Sequence, residues 1–259
     1  MSDLEGEVTA IIDGLKGKIG VAVAELPDGP EIMIDAEEPY RAASVIKVPI
    51  LYELYRKHEN GNLNLAATHD VSESNLCLGS GVIRSLHRSL NLTLKDLATL
   101  MIIVSDNSAT NELIDLVSMK DVNSTMQSIG LRHTTLKRKM LGLAGGDVPY
   151  DQDNLMSPSD SILLLKEIYS AKHLTKNSCD SMLDIMKEQQ FTENIPRYLP
   201  EDVVFAAKSG TVKGVSNDVA VIYLRKAIGI SVMCNDLKHY AYGSDAIAKI
   251  GRAVYRYYS

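Results

Sequence analysis

Apolar and polar positions along this chain follow two different periods. Leu4, Val8, Ile11, Ile12 and Leu15 recur at helical spacing among Asp3, Glu5, Glu7 and Asp13, which predicts a helix within residues 1–15. The period then shortens. Residues 19–26 and 31–35 read as two strands around Pro27-Asp28-Gly29-Pro30, whose residue types each favour a turn, so the pair predicts a β-hairpin. Helical spacing returns over residues 44–57, 83–90, 93–104, 109–118, 121–129, 159–170 and 175–187. Thr93 and Asp96 stand as cap and capping-box partner, Asn60-Gly61 and Gly130 as stops, and Pro158 as a start. Strands resume at 203–209, 218–224 and 227–235, and residues 244–257 read as a closing helix. Both chain ends therefore feed one α/β unit, residues 1–42 and 188–259, while residues 43–187 form a helical unit between them.

Bulk composition narrows the classes. At 259 residues, 45% hydrophobic and 23% charged, the chain can bury a real core and is not disordered. It has no Trp and two Phe, so twelve Tyr and the aliphatic residues must do the packing. The net charge of -6, with no Lys/Arg cluster interleaved with aromatics, argues against a nucleic-acid partner. The six His are scattered, none at the spacing of a zinc helix, which predicts no metal and no cofactor. Cys77, Cys179 and Cys234 are widely spaced and read as inert thiols, with one disulfide left open. The first fifteen residues lack the basic region and continuous apolar run of a signal peptide or membrane span. As written the chain is expected to be cytoplasmic; a leader removed ahead of Met1 would make it exported. No coiled-coil repeat asks for a partner, so a monomer is expected.

The chemistry centres on Ser44-Val45-Ile46-Lys47. Three residues apart at the start of a predicted helix, the amine of Lys47 reaches the hydroxyl of Ser44, setting a nucleophile beside a base. Burial or nearby cations would lower the amine's pKa, and the helix start would favour developing negative charge. A lone pair of this kind is also what a capping serine and a surface lysine produce. Two further elements change that weighting: Ser105-Asp106-Asn107 after an apolar helix, and Lys208-Ser209-Gly210-Thr211 closing an apolar strand.

Serine-x-x-lysine, serine-aspartate-asparagine and lysine-serine-glycine, in this order, resemble the signature of class A β-lactamases and penicillin-binding serine hydrolases. The resemblance runs along nearly the whole chain. It implies a five-stranded antiparallel sheet flanked by the terminal helices, a helical insert, and an active site in the crevice between the units. It also implies catalytic roles for Ser44, Lys47, Ser105 and Lys208, with Ser44 forming an acyl-enzyme on a β-lactam or acyl-peptide substrate. Lys47 and Lys208, facing each other across Ser105, would depress each other's pKa. The backbone amides of Ser44 and Thr211 would form the oxyanion hole. Asn107, Ser209, Gly210 and Thr211 would bind substrate, glycine allowing the strand to lie close. Asp106 reads as a structural carboxylate, Asn111 and Glu112 as helix surface or packing.

One departure stands out. The family carries a Leu-x-Arg-x-Glu run whose Glu activates the deacylating water. Here the matching run is Leu136-Lys137-Arg138-Lys139-Met140, and no Glu lies between Glu112 and Glu167. The nearest acids are Asp147, Asp151 and Asp153. Acylation keeps its full set while deacylation lacks its base. The expectation is a β-lactamase-type hydrolase slow in deacylation, the alternatives being a penicillin-binding D,D-peptidase, esterase or amidase, or a non-catalytic β-lactam sensor.

Overall fold

A computed structural model describes residues 1–87, 90–141 and 148–259. Helix α1 (Ser2–Asp13) leads into the hairpin of β1 (Lys18–Glu25) and β2 (Glu31–Ile34), in which Val21 lies opposite Ile34. A short strand β3 (Tyr40–Arg41) and a single 3-10 turn, Ala43–Ile46, carry the chain into α2 (Lys47–Glu59). The minimal strands β4 (Thr68–His69) and β5 (Leu92–Thr93) pair ahead of α3 (Leu94–Ile103), α4 (Asn107–Val117) and α5 (Met119–Ser128). Strand β6 (Leu155–Met156), which pairs with β3, precedes α6 (Pro158–Ser170) and α7 (Lys176–Lys187). The chain closes with β7 (Val204–Val212), β8 (Val215–Tyr223), β9 (Ala227–Asn235) and α8 (Tyr240–Tyr258).

The five long strands form one antiparallel sheet in the order β2-β1-β9-β8-β7, as the family resemblance implies. Their side chains alternate between two cores. Val21, Val23, Ala220, Ile222, Ile230 and Val232 join Leu4, Val8, Ile247 and Val254 of the terminal helices. Ala22, Ala24, Val219, Val221 and Met233 join the helical core through Ile162 and Leu165 of α6. A strand buried on both faces needs a near-continuous apolar run, and β8 and β9 supply one.

Within the helices, α2 is the central rod, buried from Lys47 to Tyr55 and packed by α3, α4, α5 and α7. Tyrosines fill the space that Trp and Phe leave: Tyr52 and Tyr55 of α2 and Tyr40 of β3 are among the largest fully buried side chains. Buried phenols need partners. Tyr52 donates to Glu167 at 3.1 Å, and the Tyr55 hydroxyl meets Ser181 at 2.7 Å.

Local signals were honoured where the partner lies close in sequence. Thr93 and Asp96 form the capping box, Ser157 caps α6, and Gly130 turns at φ +98° after α5. The helix expected over 83–90 is instead a 3-10 turn at Ile83–Ser85, with residues 88 and 89 outside the described set. The Asp106 carboxylate accepts the backbone N–H of Val82 at 2.6 Å and of Ile83 at 2.9 Å, which anchors the start of this turn. The strand expected to end at Ser209 continues to Val212, and its partner starts at Val215 rather than Asp218, joined by a turn in which Gly214 takes φ +73°. The three cysteines are free thiols. Among the described residues no helix is long and apolar enough to cross a membrane. None of the described His, Cys, Asp and Glu residues gather in a group that could hold a metal ion.

Candidate active site

Ser44 sits in the 3-10 turn at the head of α2, just after Ala43 in the left-handed region at φ +46°. What holds this turn lies far away in sequence. Asn235 accepts the Arg41 N–H at 2.7 Å, and Asn217 donates to the carbonyls of Arg41 at 2.7 Å and Ala42 at 3.1 Å. Asn217 also accepts the Cys234 N–H at 3.0 Å, so β8 and β9 together fix the backbone entering Ser44. Both asparagines are buried, where each polar atom must be satisfied. Neither was singled out in the sequence for such a role, since nothing local marks it.

The other side of the turn meets β7, the outermost strand. A Cβ built on Gly210 would fall 2.8 Å from Ser44 N and 3.0 Å from Val45 N. The neighbour that requires glycine here is thus the backbone of the Ser44 turn, a closer and more rigid constraint than the substrate. Thr211 and Ser209 follow along the same edge and line the cleft with Ser44.

Lys47 begins α2 fully buried. Its ammonium nitrogen donates to the Ser105 carbonyl at 2.8 Å, to Ser105 Oγ at 2.9 Å and to Asn107 Oδ1 at 2.9 Å. Spacing alone put the amine within reach of Ser44; among the described residues its hydrogen bonds go instead to Ser105 and Asn107. Ser105 presents carbonyl and hydroxyl together because it is held at φ +53°, a backbone conformation that a non-glycine residue adopts only under tertiary constraint. From the opposite side the fully buried Lys208 donates to Ser105 Oγ at 3.1 Å and to the Ser209 carbonyl at 2.7 Å. One hydroxyl therefore bridges two lysines.

Two ammonium groups cannot both stay charged at this separation away from water. Burial first, and the Lys208 charge second, hold Lys47 well below the ordinary lysine range. Burial also brings Lys208 down to about 7, against an upward pull from Asp218. Asp218 is itself buried, and desolvation pushes its carboxyl up to about 7 despite a hydrogen bond from the Ile195 N–H. Such a site disfavours the charged form of an amine that lies beside a hydroxyl.

Behind this centre the carboxylates are structural. Asp106 caps α4 by accepting the Ala109 N–H at 3.0 Å, and a Cβ at Gly81 would lie 2.2 Å from its Cγ, so Gly81 at φ +110° makes room for it. Asn111 and Glu112 are buried, so of the two readings, surface or packing, packing holds. Asn111 brackets Met140, accepting its N–H at 2.7 Å and donating to its carbonyl at 3.0 Å. Glu112 collects His69 at 2.7 Å, Asn75 at 2.7 Å and the Ser72 N–H at 3.1 Å.

The Met140 side chain is 9% exposed and belongs to the helical core. Two residues earlier, Arg138 grips Asp153 through Nε at 3.0 Å and Nη2 at 2.6 Å, and Arg41 adds Nη1 at 3.0 Å. Both carboxylate oxygens of Asp153 are thereby engaged by guanidinium groups, which ties this residue to Arg41 and Arg138. Asp151 is exposed, and Asp147 lies outside the described residues. The acid that the family places in this run has no described replacement.

A profile described as the beta-lactamase enzyme family matches residues 3–258. The crystal structure of a beta-lactamase from Sphaerobacter thermophilus superposes with a TM-score of 0.91 at 32% identity, covering 100% of this chain and 97% of that one. Beta-lactamase CARB-4 of Pseudomonas aeruginosa is 25% identical over 99% of this chain and 90% of its own. PBP-A, of which a point mutant has been solved as an acyl-enzyme complex with penicillin G, shares the fold with a TM-score of 0.90 at 23% identity, covering 99% and 96% of the two chains. The chain belongs to the beta-lactamase enzyme family and is a class A beta-lactamase-like serine hydrolase.

Proposed function

We propose that Ser44 attacks the carbonyl of a β-lactam or related acyl substrate and releases the resulting ester slowly. Ser44 Oγ forms the new bond to the carbonyl carbon, neutral Lys47 takes its proton, and the ring C–N bond breaks as Ser105 passes a proton to the nitrogen. Lys47, 2.9 Å from Ser105 Oγ, returns the proton it took to Ser105, while the Lys208 ammonium holds Ser105 and, with Ser209 and Thr211, attracts the substrate carboxylate, and Asn107 bonds an amide of the substrate. The amides of Ser44 and Thr211 stabilise the oxyanion, an interaction worth about 3 to 4 kcal/mol in serine proteases. The observation that carries this reading is the hydroxyl of Ser105 shared by two buried lysines beside the Ser44 turn.

Slow release rests on Met140 in the core and Asp153 locked by Arg41 and Arg138. The same pair of observations favours a second reading, a penicillin-binding D,D-peptidase, esterase or amidase for which a β-lactam is an inhibitor. Intact-protein mass spectrometry after mixing with benzylpenicillin tests both. A Ser44 adduct that forms and persists for minutes is the expected result. An adduct that vanishes within seconds would overturn slow deacylation, and no adduct at all would overturn acyl transfer to β-lactams.

The protonation of Lys208 gives a pH signature. Its ammonium is charged below about 7 and neutral above, so the attraction for an anionic substrate is present at lower pH and lost as pH rises through that value. We expect kcat/KM for a carboxylate-bearing substrate to fall above pH about 7, mainly through KM, and the fall to disappear in Lys208→Arg. An alkaline limb unchanged in that variant would assign it to another group.

A further inference from the structure

The cleft does not end at the strand edge. Its volume of about 320 Å³ runs from Ser80 and Ser105 past Ser44, Ser209 and Thr211 to a far wall made by Phe191, Glu193, Asn194, Tyr240 and Ser244. That wall is built. The Ser244 hydroxyl donates to the Glu193 carbonyl at 3.1 Å, tying the first turns of α8 to the segment before Ile195. Asn194, buried, donates to the Asn217 carbonyl at 3.3 Å, and the next amide binds Asp218, the residue paired with Ser209. Glu193 therefore stands beside the Ser209 end of the strand, with its exposed carboxylate on the cleft and no hydrogen bond or ion pair engaging it among the described residues. Tyr240, 48% exposed and stacked on His239 at 4.6 Å, and the half-buried Phe191 line the same wall.

A carboxylate with no partner among the described residues, in a cleft wall that also carries two aromatic residues, suits a positively charged ligand. It attracts a cation, adding Coulomb attraction to the pull of the ring faces, and it repels a second anion. We propose that Glu193, with Tyr240 and Phe191, forms a cation subsite on the leaving-group side of the cleft, selecting acyl substrates that carry a quaternary ammonium, pyridinium or amine beyond the carboxylate held at Ser209 and Thr211. This rests on the acyl-transfer reading of the cleft. Selected substrates are zwitterionic on the departing side, with the anion toward Lys208 and the cation toward Glu193.

The test uses two cephalosporins that share one 7-acyl group and differ at C3, one with a neutral acetoxymethyl and the other with a pyridiniomethyl substituent. Rates of Ser44 adduct formation, read by mass spectrometry, should favour the pyridinium compound roughly tenfold at low ionic strength, the scale of a partly exposed charge contact plus a ring contact. The ratio should shrink as salt is added. Glu193→Gln should bring it to about one, with the loss falling on apparent affinity for the cationic compound, and Glu193→Lys should invert it. A ratio equal in all three proteins, with both compounds still acylating Ser44, would overturn the subsite alone. Absence of any adduct from either compound would overturn the acyl-transfer reading and the subsite with it.

Discussion

Lys47→Met should slow acylation of Ser44 by a β-lactam on the order of 10⁴-fold or more while leaving the fold intact, and Ser44→Ala should abolish the adduct. A hydroxyl is a weak nucleophile until its proton has somewhere to go, and a nucleophile and base that act as a unit lose nearly everything when either is removed. Lys47 suits the task because its environment disfavours its charged form. It is fully buried, faces another buried ammonium across Ser105, and is held well below its ordinary range chiefly by burial. Methionine keeps the length and apolar stem and removes the amine. It also removes a costly buried polar group, although the Ser105 carbonyl and Asn107 Oδ1 lose their donor, so thermal stability should change little. The check is the time course of adduct formation by mass spectrometry, beside a thermal melt. An unchanged rate in Lys47→Met would move the base to Lys208 or to a water.

How much of this was legible beforehand depends on how far apart the cooperating residues lie. The capping box of Thr93 and Asp96, the hairpin around Pro27 and the stop at Gly130 are decided within a few residues, and all three stand where the pattern put them. Three short motifs, each local, were enough to name Lys47, Ser105, Asn107 and Lys208 as one constellation, and the fold joins both lysines at the Ser105 hydroxyl and Asn107 to Lys47. What stayed hidden is what crosses the chain. Asn217 and Asn235 secure Arg41 and Ala42 from nearly two hundred residues away. Gln189 donates to the Ile102 carbonyl at 3.0 Å, and the Gln190 N–H bonds the Ile103 carbonyl at 3.0 Å, tying the end of α3 just before Ser105 to the segment ahead of β7. An amide side chain carries no sign in sequence of which backbone it will satisfy. At residues 83–90 helical periodicity is present, yet the chain makes a single turn at Ile83–Ser85 whose first amides, Val82 and Ile83, are anchored by Asp106 from a separate motif.

Met140→Glu should accelerate deacylation about 10²-fold, the scale of a positioned general base, while changing acylation less than about twofold. The backbone at this position is already fixed, since Asn111 holds both the Met140 N–H and its carbonyl, and the Met140 carbonyl also accepts the Cys77 thiol at 3.1 Å. Asn107 and Asn111, one turn apart on α4, bond the Lys47 amine and the Met140 backbone respectively, so the run and the buried amine are held by one helix. A carboxylate there would take a proton from water and lie close enough to Lys47 for charge to be shared. Its cost is desolvation: a buried carboxylate without full hydrogen bonding destabilises by several kcal/mol, and only pairing with Lys47 offsets this. A lower melting temperature should therefore accompany faster turnover. Pairing would also draw Lys47 back toward its charged form, and that sets the limit on the gain, because an ammonium can no longer accept the Ser44 proton. Pre-steady-state mass spectrometry separates the two steps in one experiment, the adduct rising at the acylation rate and decaying at the deacylation rate. Decay that stays slow in Met140→Glu, with the fold retained, would show that the family's acidic position is not filled by residue 140 in this chain. Equal acceleration of both steps would instead place the new carboxylate on the proton path of Ser44 itself.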